Sequence, residues 1–365
     1  MSPRIVVFGA TGYTGEHTAR ELVARGARPV LAGRSAQRLE RLSDDLGGLD
    51  FQVADVSRPQ SVSDLVGAGD VLLSTVGPFT RWGAPALEAA IERRAWYLDS
   101  TGEPWFIRQV FEQYGPRAKV SGVGLVTAFG FDWVPGNLAG ALALAAAGPQ
   151  AVSIDIGYFA RGAAGISGGT RASMVRAAIE PGFAYRGGRL RTERPGAHVR
   201  QLTLDNGKVR VGVSVGGSEH FGLPALHPTL REVTVVLGQP LPLIQAVPVA
   251  TGLLSAVLQV PGVRAGVTAL AEHQVAGSTG GPDEASRALG ACSIVAEARS
   301  AGGDLLQRVQ LEGPDGYDFT FAILAWGALT AAGAGLRGSG ALGPVQAFGL
   351  AELTEGAASA GLSRA

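Results

Sequence analysis

The sequence predicts an α/β protein: a doubly wound parallel sheet, followed by a second α+β domain built on a mixed sheet. Three observations carry this. The chain opens on a fully apolar run, Ile5-Val6-Val7-Phe8, which breaks into the turn Gly9-Ala10-Thr11-Gly12-Tyr13-Thr14-Gly15 and leads into a helical pattern. Apolar strands then alternate with helical segments to about residue 130, the signature of parallel strands buried on both faces. From residue 151 that alternation stops, and strand-like runs appear at 152–159, 198–204, 209–215 and 233–237. The expected division is 1–130 for the parallel-sheet domain, 131–321 for the α+β domain, and 322–365 for helices returning to the first domain.

The opening turn has the spacing of a Rossmann dinucleotide site. Gly9 permits the tight turn, Gly12 the close approach of backbone to a pyrophosphate, and Gly15 the contact of helix with strand. Thr11, Tyr13 and Thr14 lie between them, where the positive end of the helix meets the phosphates. In a chain with 54 glycines the spacing means little alone; the order strand, turn, helix, second strand (29–33) gives it weight. The second strand ends in Gly33-Arg34-Ser35, with Arg38 one turn on. A carboxylate there would hold a ribose 2′-OH, whereas Arg34 offers a fork of donors to a 2′-phosphate and Ser35 another hydrogen bond. NADPH is therefore the expected cofactor.

The next elements follow in order. A helix over 36–46 carries Leu39, Leu42 and Leu46 on one face, and a third strand, 51–54, ends at Asp55-Val56, where adenine is usually gripped. A short helix over 59–66 leads to a fourth strand ending at Ser74, then to Thr75-Val76-Gly77-Pro78-Phe79, a loop leaving the carboxyl end of the strand beside the nicotinamide. A helix over 84–93, a strand over 96–99, a helical region ending near 121 and a strand over 124–127 complete six strands. In the second domain Asp205-Asn206-Gly207-Lys208 joins two strands as a hairpin, and a helix over 170–178 is capped by Ser167 or Thr170.

Composition narrows the function classes. With 31 basic and 31 acidic residues the net charge is zero, against a general field for nucleic acid or anionic membrane. The single cysteine, Cys292, excludes an internal disulfide, and the five histidines lack metal-ligand spacing, so no metal is expected. The chain runs from Met1-Ser2-Pro3-Arg4 straight into a strand, which predicts a cytoplasmic protein with no signal peptide. Residues 233–263 contain no charge, yet Pro240, Pro242, Pro248 and Pro261 leave only twelve uninterrupted residues, 249–260. A spanning helix needs about 20. The expected structure there is a buried helix or an apolar lid over the cleft; peripheral contact with lipid or a partner subunit, and a homodimer, stay open.

Gly9 to Gly15, Ala32-Gly33-Arg34-Ser35, Val76-Gly77-Pro78-Phe79, Tyr97-Leu98-Asp99-Ser100-Thr101-Gly102-Glu103 and Gly130-Phe131-Asp132 together resemble the saccharopine dehydrogenase-like family of NADP-dependent oxidoreductases. The likeness continues through Gly165-Ile166-Ser167-Gly168-Gly169-Thr170 and Glu219-His220-Phe221, and more faintly through Gly316-Tyr317-Asp318-Phe319-Thr320. Within the family the chain looks most similar to a short bacterial branch that includes trans-acting enoyl reductases. Trp133 departs from the pattern, standing where relatives usually have a small residue. The resemblance implies NADPH-dependent reduction of an activated double bond, with an enoyl thioester, free or on a carrier protein, as the leading substrate. A C=N reductase or saccharopine-type amino-acid dehydrogenase is the alternative, and a non-catalytic NADPH-binding sensor or scaffold a third reading.

A nicotinamide enzyme needs groups that orient the substrate and complete the proton balance. Asp132, between the sixth strand and a helix beginning near Pro135, suits substrate orientation or proton relay, or else caps that helix. His220, at an expected strand end, could donate a proton near neutral pH or serve as a structural residue. Tyr97, Asp99 and Glu103 flank the turn after the fifth strand, where strand packing and capping also explain them. Arg171 and Trp133 are substrate candidates, Arg171 for a carboxylate or phosphate. Arg186, Arg189, Arg191, Arg194 and Arg200, opposed only by Glu193, form either a docking site for an acidic carrier protein or a solvated hairpin.

Overall fold

The computed structural model describes residues 3–162, 165, 167–238, 244–257, 263, 266 and 280–365. Strands β1 (Ile5–Phe8), β2 (Val30–Gly33), β3 (Phe51–Val53), β4 (Val71–Ser74), β5 (Trp96–Asp99) and β6 (Gly124–Val126) alternate with helices α1 (Tyr13–Ala24), α2 (Ala36–Asp45), α3 (Pro59–Ser63), α4 (Phe79–Trp82), α5 (Ala84–Arg93), α6 (Pro104–Gln109) and α7 (Gly115–Ser121). The sheet is parallel throughout, in the order β3-β2-β1-β4-β5-β6, and gains a seventh strand from Gly340–Ala341 beside β6. Every residue of β1, β2 and β4 is buried, as expected of apolar runs covered on both faces. The order reverses between β1 and β4, opening a crevice at the carboxyl ends of the strands.

Helix α8 (Val134–Ala147) leads into β7 (Ser153–Arg161), α9 (Gly168–Ile179), β8 (Gly182–Arg186), β9 (Arg189–Glu193), β10 (Val199–Thr203), β11 (Val209–Ser214), α10 (Glu219–Leu226), β12 (Glu232–Gly238), α11 (Val247–Val257), β13 (Ala291–Arg299) and β14 (Leu305–Pro314). With the short Ser363–Arg364 strand these form a mixed sheet, parallel between β7 and β12 and antiparallel elsewhere. Cys292, Ile294, Ala296 and Ala298 alternate along β13 into the core that α8 covers. Helix α8 buries ten of its residues around nearly its whole circumference, which fits a helix apolar on all sides. Helix Gly316–Ala334 packs on α1, β4 and β5, carrying the chain from the second sheet back to the first.

Several expectations change. Glu219 and His220 open helix α10 rather than ending a strand, because Ser218 and its glycine neighbours turn the chain before them. Arg186, Arg189 and Arg191 do lie on a hairpin, as one of the two readings had it, formed by β8 and β9 and joined at Gly187-Gly188 with positive φ at both, whereas Arg194 follows β9 and Arg200 is on β10. Strands β13 and β14 were not anticipated: alanine-rich runs such as Ala296-Glu297-Ala298 carry little strand propensity, and the pairing with β7 decides them. In the uncharged 233–263 stretch, the first part is the buried strand β12, whereas α11 leaves Val249 and Leu253 each 66% exposed. The buried-helix reading therefore fails for α11; residues 239–243 and 258–262 lie outside the described residues. Among the described residues no helix is long and apolar enough to cross a membrane.

Gly327 tests how tightly the returning helix is packed. A Cβ there would lie 2.3 Å from the Phe129 ring and 3.0 Å from Leu98 Cδ2. An exposed helical Gly→Ala change gains about 1 kcal/mol; Gly327→Ala should instead lose about 1–3 kcal/mol to overpacking, read as a lowered midpoint in denaturant titration.

Candidate active site

The crevice is the mouth of a cavity of about 700 Å³. Its first half is built by the turns that leave β1, β2, β3 and β4. Gly9 has φ +93°, and Gly15 packs so closely on that turn that a Cβ would lie 2.3 Å from the Gly9 carbonyl oxygen. Gly12 is the N-cap of α1 and supplies no side-chain cap, so the first-turn N–H groups are left for an anion. Gly9, Thr11, Gly12, Tyr13 and Thr14 line this end. Arg34 and Arg38 line it from the end of β2, and Arg38 Nη2 donates to the Thr11 carbonyl at 2.6 Å, tying the two turns together. These features, an uncapped helix end, a glycine cradle and two guanidinium groups, fit a dinucleotide with a 2′-phosphate.

Asp55 and Val56 line the cavity from the end of β3. The Ser57 N–H and hydroxyl both donate to Asp55 Oδ1 at 2.8 Å. These bonds, with Arg34 and Arg58 nearby, hold the Asp55 carboxyl below its ordinary range. Val76, Gly77 and Phe79 line the cavity after β4. The loop is held by buried Glu103, which accepts from the Phe79 N–H at 2.7 Å, the Thr80 N–H at 2.9 Å and the Thr80 hydroxyl, and reaches Ser173 Oγ of α9 at 2.7 Å.

The second half is lined by Trp82, Ser100, Gly102, Asp132 and Trp133, and across from them by Ser167, Thr170, Ser173 and Met174 of the α9 region with Val215 and Leu237. Asp132 follows β6 at the point pinned by buried Asp99, which accepts from the Thr101 N–H (3.0 Å), the Ala128 N–H (2.8 Å) and the Thr127 hydroxyl (2.8 Å). Desolvation in the cavity wall pushes Asp132 up to about 6. It does not cap α8, whose N-cap is Trp133 without a side-chain bond. Ser167 does cap α9, accepting from the Thr170 N–H at 3.1 Å, and its own N–H donates to the Tyr317 hydroxyl at 2.8 Å.

Other expected residues lie elsewhere. Tyr97 is fully buried in the core beneath the sheet with Phe106 and Leu125, and burial raises its pKa well above the ordinary value. It has no face on the cavity. His220 is buried against Phe183, its Nδ1 within 3.1 Å of the Gly217 backbone, and burial lowers it to about 4. That imidazole is not among the residues lining the cavity. Arg171 is exposed on α9 and does not line the cavity, because the helix turns Thr170, Ser173 and Met174 inward instead. Ser35 caps α2, accepting from the Arg38 N–H at 3.4 Å. Ser74 is buried in β4, and Pro78 is the N-cap of α4, so both shape the wall from behind.

Sequence reasoning missed Ser57, Trp82, Ser173, Met174, Val215 and Leu237 as lining residues. Their own segments carry no motif, and Ser173, Met174, Val215 and Leu237 are gathered only by the approach of α9, β11 and β12 to the first domain. The serine-glycine turn before α9 was the one visible signal for that side.

Comparison with known proteins agrees with this geometry. Residues 5–125 match the family described as saccharopine dehydrogenase NADP binding domain. A trans-acting enoyl reductase of Mycobacterium ulcerans is 41% identical over 140 residues, 37% of this chain and 34% of that protein. One from Mycobacterium leprae is 39% identical over 140 residues, with the same coverage. The matches thus span about a third of these relatives' length. Saccharopine dehydrogenase (L-Glu forming) from Saccharomyces cerevisiae shares the fold along 97% of this chain and 96% of its own, with a TM-score of 0.58 at 10% identity. Two substitutions test the nucleotide half. Arg34→Ala should weaken NADPH by about 1.5–3 kcal/mol, the scale of charge-assisted hydrogen bonds, and leave NADH nearly unchanged in parallel fluorescence titrations. Gly15→Ala should weaken both cofactors alike and lower stability by about 1–3 kcal/mol. Uncapped helix, glycine cradle, arginine pair and family match converge: residues 5–125 match the saccharopine dehydrogenase NADP binding domain, on a chain that shares the fold of saccharopine dehydrogenase.

Proposed function

We propose that the protein is an NADPH-dependent reductase of an activated carbon–carbon double bond, with an enoyl thioester as substrate and Asp132 as the group that manages the proton. The observation that carries this reading is the chemistry of the second half of the cavity. Among the described lining residues the only cations are Arg34 and Arg38, at the nucleotide end. The other end presents Trp82, Trp133, Met174, Val215 and Leu237 with the hydroxyls of Ser100, Ser167, Thr170 and Ser173. An amino-dicarboxylate substrate would bury its carboxylates there without a counter-charge, at a cost of several kcal/mol per ion. An uncharged acyl thioester meets apolar walls and neutral hydroxyl groups instead. The mycobacterial relatives, trans-acting enoyl reductases, point the same way. Nothing among the described lining residues favours the imine-reductase or amino-acid reading, and a site with a titratable group at its inner end exceeds what a sensor requires.

NADPH, when bound, supplies the hydride. The chain's residues do the rest. The first-turn N–H groups of α1 and the Arg34–Arg38 pair hold phosphate; the Glu103-anchored loop and Trp82 wall off water; the hydroxyls of the α9 region orient the thioester. Asp132, the one ionisable side chain among the described lining residues of this half, holds a proton for the α-carbon. We further propose that the acyl group arrives on an acidic carrier protein, steered by exposed Arg189 and Arg191 of the β8–β9 hairpin.

Following absorbance at the reduced nicotinamide while offering crotonyl thioesters and then cyclic imines tests the reaction: oxidation is expected with the thioesters and not with the imines, and the reverse pattern would overturn the assignment. Asp132→Asn should lower kcat by about 10²–10⁴-fold, the range of general acid–base catalysis, with NADPH affinity unchanged.

A further inference from the structure

Between β6 and α8 the backbone takes a conformation that an alanine rarely adopts. Ala128 is fully buried and has φ +58°, in the left-handed region where a Cβ crowds the backbone and glycine is the usual occupant. Among the described residues the other non-glycine of this kind is Arg94, exposed at the C-cap of α5, a position where the left-handed conformation is common. Ala128 ends no helix. A residue held this way persists only where its surroundings over-determine it, and such residues gather at functional sites.

Here the surroundings are one aspartate. Asp99, last residue of β5, is fully buried and does not line the cavity. It fastens three consecutive residues of the turn. The Thr127 hydroxyl donates to Oδ2 at 2.8 Å, the Ala128 N–H to Oδ1 at 2.8 Å, and the Phe129 N–H to the Asp99 carbonyl at 2.7 Å. The Ala128 carbonyl then accepts from the Trp133 N–H at 2.9 Å, closing a loop that contains Asp132. The same Oδ1 accepts from the Thr101 N–H at 3.0 Å and so holds the neighbouring turn, 100–103. That turn lies against the acid itself: a Cβ on Gly102 would sit 2.8 Å from Asp132 Oδ2 and 3.6 Å from its Cγ. One carboxyl therefore fixes both the loop that carries Asp132 and the glycine on which its carboxyl rests.

We propose that Asp99 is the positioning residue for Asp132: it holds Ala128 in the left-handed conformation and Gly102 against the Asp132 carboxyl, so that the acid meets the cavity at one fixed place. The proposal deepens the reductase reading above and rests on it for the catalytic role of Asp132. Without Asp99 the alanine relaxes to negative φ, and residues 129–133 are redirected with it. A displacement of about 1 Å at a reacting group costs about 10²-fold in rate.

Asp99→Ala leaves the Ala128 and Thr101 N–H groups without their acceptor. Amide hydrogen exchange of the peptide spanning 127–134, read by mass spectrometry on the protein without substrate, should accelerate about tenfold or more. With crotonyl thioester kcat should fall about 10²-fold, with KM and NADPH affinity within about threefold of wild type. Two changes should reverse both effects. Asp99→Asn keeps an oxygen for the two N–H groups while the Thr127 hydroxyl rotates to accept from the amide, and should recover kcat about tenfold or more over Asp99→Ala. Ala128→Gly added to Asp99→Ala removes the strain, since glycine adopts positive φ freely, and should slow the exchange and raise kcat again. Unchanged exchange in Asp99→Ala, a loss confined to KM, or failure of either rescue would overturn the proposal. If Asp99→Ala does not fold, Thr127→Val removes the Oδ2 bond alone and should lower kcat about three- to tenfold at constant NADPH affinity; an unchanged kcat would overturn the proposal. If the wild type reduces no thioester, the reductase reading fails, and the exchange measurements still decide whether Asp99 holds the turn.

Discussion

The structure depends on one close approach, the packing of Gly15 on the Gly9 carbonyl. That contact sets the angle at which α1 leaves β1, and so directs the unpaired N–H groups of its first turn into the crevice. Thr75 shares the constraint from β4: its Oγ1 would lie 2.8 Å from a Cβ on Gly15 and 2.6 Å from one on Gly9. Strand β1, the turn, helix α1 and the loop after β4 are thus fixed relative to one another by the absence of two side chains. The crevice at the β1/β4 reversal inherits its shape from that arrangement.

Around this fixed end the second domain closes the cavity through a few strong links. Tyr13, on the glycine turn itself, donates to the Pro282 carbonyl at 2.6 Å and accepts from Arg287 at 3.0 Å; Arg287 also pairs with Asp318 at 2.7 Å. Glu103 ties the loop after β4 to Ser173 of α9. Tyr317 holds the start of α9 through Ser167 and Thr170. The Tyr13 and Glu103 links join the nucleotide half to segments of the second domain, so the two are held by hydrogen bonds as well as by the apolar core. The same economy appears at Asp132, which Asp99 beneath places at the cavity wall, while Glu219, behind Trp133 and bonded to Tyr158, lies out of reach of water.

Legibility followed the range of the interaction. Gly9, Gly12, Gly15, Arg34 and Arg38 were readable because their roles are set by backbone geometry and charge within a single strand–turn–helix unit. Asp132 and Trp133 were readable as candidates from their place after the sixth strand. Tyr97, His220 and Arg171 were misplaced because a strand's inward face, a helix's first turn and a helix's outward face cannot be told apart until the partner surfaces are known. Glu219 was seen only as the neighbour of His220. Its chemistry belongs to Tyr158 of β7, 61 positions away, and to the glycines that admit it, Gly217 beside it and Gly136 on α8.

By itself the sequence determined the parallel sheet, the phosphate-binding turn and the cofactor's 2′-phosphate, since an apolar run, three spaced glycines and an arginine act locally. Tertiary structure alone decided the other half of the site. The mixed sheet with its unannounced strands β13 and β14, the inward turn of Ser173 and Met174 on α9, and the acid sealed behind Trp133 arise from contacts between segments far apart in the chain, where burial and charge depend on what arrives opposite.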